Sequence, residues 1–131
     1  KGDWAFTVAR QFVFDAWEAA WADLARASPL PRLAEIAAKI RVDELHHLRD
    51  TGALMAQLTH RQMRAGLEAV WPHTAELFAA SELDSWLLDA KIIPSPAATR
   101  AAWMVLVGNV GNVFNVDNVD NVGPLIKPDQ T

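Results

Sequence analysis

The 131-residue chain contains no cysteine and no tyrosine. Without cysteine there are no disulfides, no thiolate nucleophile and no zinc-finger chemistry. A reducing, cytoplasmic compartment is the expectation. No apolar run reaches the roughly 20 residues of a membrane-spanning helix. The opening Lys1-Gly2-Asp3-Trp4 does not read as a secretory leader. There is no run of lysine or arginine, and the formal net charge is −4. Neither a nucleic acid nor a membrane is therefore an expected partner. A glycine-rich phosphate loop, a nucleophile elbow and a Ser-His-Asp order are also missing, which leaves nucleotide-binding and hydrolase readings without support.

What the chain does have is apolar mass. Hydrophobic residues make up 51% of it, enough for one core or for part of a larger domain. Six tryptophans, at positions 4, 17, 21, 71, 86 and 103, imply large contact surfaces within a core or against a partner.

The periodicity is helical and predicts an all-α fold. Residues 4–27 are alanine-rich and free of Gly and Pro, with apolar residues nearly all round, as in a helix sandwiched between neighbours. Pro29 and Pro31 break the pattern. A second helix is expected over 31–58, with Gly52 as a weak point. A third is expected from His60 to Trp71, ended or kinked by Pro72. A turn-rich piece over 73–80, a short amphipathic helix over 82–89, a loop at Pro94–Pro96 and an apolar helix over 97–107 follow.

The remainder differs. Asn-Val recurs at 109, 112, 115, 118 and 121, a period of three that is neither helical nor strand-like. The expected division is a helical domain over 1–107 and a low-complexity tail over 108–131.

The chemistry-bearing feature lies in the second helix. One face collects Leu33, Ala37, Ile40, Glu44, His47, Leu48, Met55 and Leu58. The opposite face collects Glu35, Lys39, His46 and Asp50. A carboxylate and an imidazole on a buried face are costly unless something pairs them or binds between them. Asp15 lies 14 positions before Pro29 and Glu44 lies 13 positions after Pro31. In an antiparallel hairpin both fall at about the same height. The hairpin can thus gather Asp15, Glu44 and His47 between two helices. Hard oxygens plus one imidazole suit iron or manganese. Glu-x-x-His inside a bundle is also the half-site pattern of carboxylate-bridged di-iron proteins. A complete site needs a second such set, and no second Glu-x-x-His on a buried stripe is present. The other reading is a metal-free polar cluster, in which Glu44 and His47 pair with each other or with Asp15 and Arg10.

Several strings resemble a known family. They are Gly2-Asp3-Trp4-Ala5-Phe6-Thr7, Arg10-Gln11-Phe12-Val13-Phe14-Asp15-Ala16-Trp17, His47-Leu48-Arg49, and Leu67-Glu68-Ala69-Val70-Trp71-Pro72-His73-Thr74-Ala75-Glu76-Leu77-Phe78. They are similar to the ferritin-like structural subunit of the bacterial phenylacetyl-CoA epoxidase. The resemblance runs from about Gly2 to Val107 and covers the later half of that subunit. It implies an all-α, ferritin-like bundle, here a half bundle completed by a partner or by a homodimer. It implies a structural, non-catalytic role beside a homologous catalytic subunit that holds the di-iron centre and epoxidises the ring of phenylacetyl-CoA. Asp15, Glu44 and His47 stand where a second half-site would have its ligands, with iron as the candidate metal. The alternative is a homodimeric di-metal oxidase or oxygenase using those three residues from each chain.

Overall fold

A computed structural model describes residues 3–79 and 84–113. Among the described residues all regular structure is helical: α1 (Trp4–Ala25), α2 (Pro31–Ala56), α3 (His60–Val70), a 3-10 helix (Trp71–Phe78), α4 (Ser85–Asp89) and α5 (Pro96–Val113).

Local chemistry sets the boundaries. The Asp3 side chain accepts the Phe6 N–H and caps α1. Pro31 opens α2, where its missing N–H costs nothing. Thr59 and Gln62 form a reciprocal capping box at the start of α3. Pro72 ends the α-helical ladder, as its ring requires, and the chain tightens into a 3-10 helix. Gly52 does not interrupt α2. It is buried mid-helix, and the roughly 1 kcal/mol cost of one glycine is small against the packing of a 26-residue helix. α5 runs through the compositional change at Gly108 and includes the Asn-Val pairs at 109 and 112. The repeats from 115 onward lie outside the described residues.

α1 is the central helix. α2, α3 and α5 all pack on it, and its alanines at 5, 9, 16, 19, 20, 22 and 25 are buried. Small residues let the neighbours approach closely. At the α1–α3 crossing, a Cβ added to Gly66 would lie 2.6 Å from the Ala5 carbonyl oxygen. Trp103 of α5 is fully enclosed and donates its indole N–H to the Val13 carbonyl at 2.9 Å. Trp71 and Phe78 pack on its ring at 5.2 and 5.1 Å between centroids. The remaining tryptophans divide by environment. Trp17 and Trp21 line a cavity of about 560 Å³ with Phe78 and Leu87. Trp4 and Trp86 are exposed.

α2 departs from expectation. It packs on α1 and makes only sparse contact with any other element among the described residues. Its apolar stripe is wider than the face α1 covers. Ala37, Leu48, Met55 and Leu58 are buried as expected, but Ile36 and Ile40 are each 45% exposed. His47, expected on the buried side, is also exposed. The physical reason is one-sided packing. Only the part of the stripe facing α1 is shielded.

Candidate functional site

The α1–α2 hairpin carries a cluster of ionisable groups. Asp15 and Glu44 are both buried, at 3% and 8% exposure. Asp15 lies on the α2-facing edge of α1. Its Oδ1 accepts from the side-chain amide of Gln11, one turn earlier, at 2.9 Å. Glu44 faces α1 from α2. Its Oε1 lies 3.0 Å from His47 Nδ1, one turn later. The His47 side chain is nevertheless 58% exposed, so its ring lies along the rim.

The matched heights of Asp15 and Glu44 are realised through a residue that sequence reasoning passed over, Glu18. It stands three positions after Asp15 on the same face of α1, half-buried. Its carboxyl is within hydrogen-bonding range of Glu44 and feels the charges of Glu44, Asp15 and His47. Burial is the largest influence on its proton. The hydrogen bond to Glu44 and the negative charges of Glu44 and Asp15 act in the same direction. Together they push Glu18 from 4.5 up to about 7, against a smaller opposing pull from His47. Glu44 Oε2 is buried without a conventional donor. A neutral Glu18 carboxyl offers an O–H to that neighbour, whereas an ionised one offers only acceptors. The signal was available in the Asp15-x-x-Glu18 spacing. A search for Glu-x-x-His overlooks an acid-x-x-acid pair. Arg10, a candidate partner for Asp15, is exposed and makes no ion pair with it.

A bound metal is a sharper requirement. The donor types suit a hard divalent ion, and the orphaned Glu44 oxygen is the kind of atom a cation or a proton satisfies. Here Gln11 donates to one of the two Asp15 oxygens, His47 Nδ1 is turned to Glu44, and the ring is open to water. Among the described residues no three acidic or imidazole groups converge as a metal-ligand set. Hairpin geometry brings Asp15, Glu18 and Glu44 together but does not aim His47 inward with them.

A second polar group lies farther along the hairpin, toward its turn. Asp23 receives Arg26 Nη2 and Arg41 Nε, each at 2.6 Å. Partial burial pushes its carboxyl upward. The two guanidinium groups outweigh this and hold it below 3.8. Arg41 thereby ties α2 to α1.

Comparison with known proteins fixes the family. A family model described as phenylacetic acid catabolic protein matches residues 1–117, a span that contains every member of the cluster. The chain belongs to the phenylacetic acid catabolic protein family. Its all-α, ferritin-like bundle agrees with that membership. Within the family it is 35% identical over 109 residues to one of the subunits of the 1,2-phenylacetyl-CoA epoxidase of Escherichia coli (strain K12). The alignment covers 79% of this chain and 44% of that relative, so the chain spans less than half the relative's length. No described helix is long and apolar enough to cross a membrane.

Proposed function

We propose that this chain serves as a structural, non-catalytic subunit, or part of one, in an oxygenase that epoxidises the ring of phenylacetyl-CoA in aerobic phenylacetate catabolism. In this reading it supports a homologous di-iron catalytic partner and also self-associates. Asp15, Glu18 and Glu44 act as a proton-sharing polar cluster that sets the spacing of α1 and α2. The observation that carries the reading is the dispersal of the donor atoms. One Asp15 oxygen is held by Gln11, and the His47 ring lies on the rim instead of pointing between the helices. Membership of a phenylacetate catabolic family supports the pathway.

A second reading rests on the unpartnered Glu44 Oε2. A symmetric pair of chains would use Asp15, Glu44 and His47 from each to hold two metals and perform oxidase or oxygenase chemistry. Metal content after anaerobic loading with Fe(II), with Glu44→Ala as control, separates the two. The structural reading expects no stoichiometric iron in either protein. About one iron per chain, lost in the control, overturns it in favour of the second reading.

A further inference from the structure

No further inference is drawn: the strongest candidate, the aromatic cavity of about 560 Å³ that Phe14, Trp17 and Trp21 of α1 line with Phe78 and Leu87, is open along the α1 side, and nothing in the structure shows what covers it.

Discussion

Replacing Glu44 with glutamine tests the acidic cluster at its centre. In the native state the Glu18 proton is held up to about 7, against 4.5 in the unfolded chain. Between those values the folded protein binds more protons than the unfolded one. Stability therefore falls as pH rises through the window, being fully present below about 4.5 and lost above about 7. A shift of this size on a fully buried group corresponds to about 3 kcal/mol. Glu18 keeps a solvent-facing side, and screening reduces the expected loss to roughly 1–2 kcal/mol. Glu44→Gln removes one of the two charges that raise Glu18 and puts an amide donor beside it. Burial and Asp15 remain. The variant should lose less than about half as much stability between about pH 5 and about pH 8. It should also be about 1 kcal/mol more stable than wild type at the higher pH, since an unsatisfied buried carboxylate oxygen is gone. Urea unfolding followed by tryptophan fluorescence measures this, provided the denaturant slopes of the two proteins agree. A Glu44→Gln protein that is less stable at about pH 8, or that keeps the wild-type pH slope, would refute the proton-sharing account.

Gly66→Ala should destabilise the α1–α3 crossing. The added methyl meets the Ala5 carbonyl oxygen at 2.6 Å, and the strain of roughly 2–3 kcal/mol exceeds the roughly 1 kcal/mol gained in helix propensity. A melting temperature equal to or above wild type would sink the prediction. Trp103→Phe removes the hydrogen bond to Val13 and leaves a void between Trp71 and Phe78, costing about 2–4 kcal/mol by chemical denaturation. A loss below about 1 kcal/mol would show that the core closes around the smaller ring. Asp23 is held below 3.8, so its contribution is present above that value and disappears as pH falls further. Asp23→Asn should flatten the acid limb of the stability profile, by less than about 1 kcal/mol because the pairs are half-exposed. An unchanged acid limb would show that the two arginines contribute nothing.

Much of this molecule is local in origin. The helical periods, the Pro31 start, the Pro72 stop and the Asp3 and Thr59 caps are decided by residues within one turn of each other, so the order of the helices is legible in the sequence. The same is true of the hairpin that places Asp15 and Glu44 at one height, because a fixed rise per residue converts sequence distance into length. Burial is not local. Periodicity marks Ile40 and His47 as stripe residues but cannot say how many neighbours α2 will have. Only the tertiary structure decided that, among the described residues, α1 supplies most of its cover, leaving Ile36, Ile40 and His47 toward solvent. Electrostatics is equally non-local. Glu18 is an ordinary surface glutamate by sequence, and it became the pivot of the cluster only when the hairpin set Glu44 against it. Covalent spacing determines which side chains share a face. Which faces lose their water, and which charges then feel each other, is settled by packing between elements far apart in the chain.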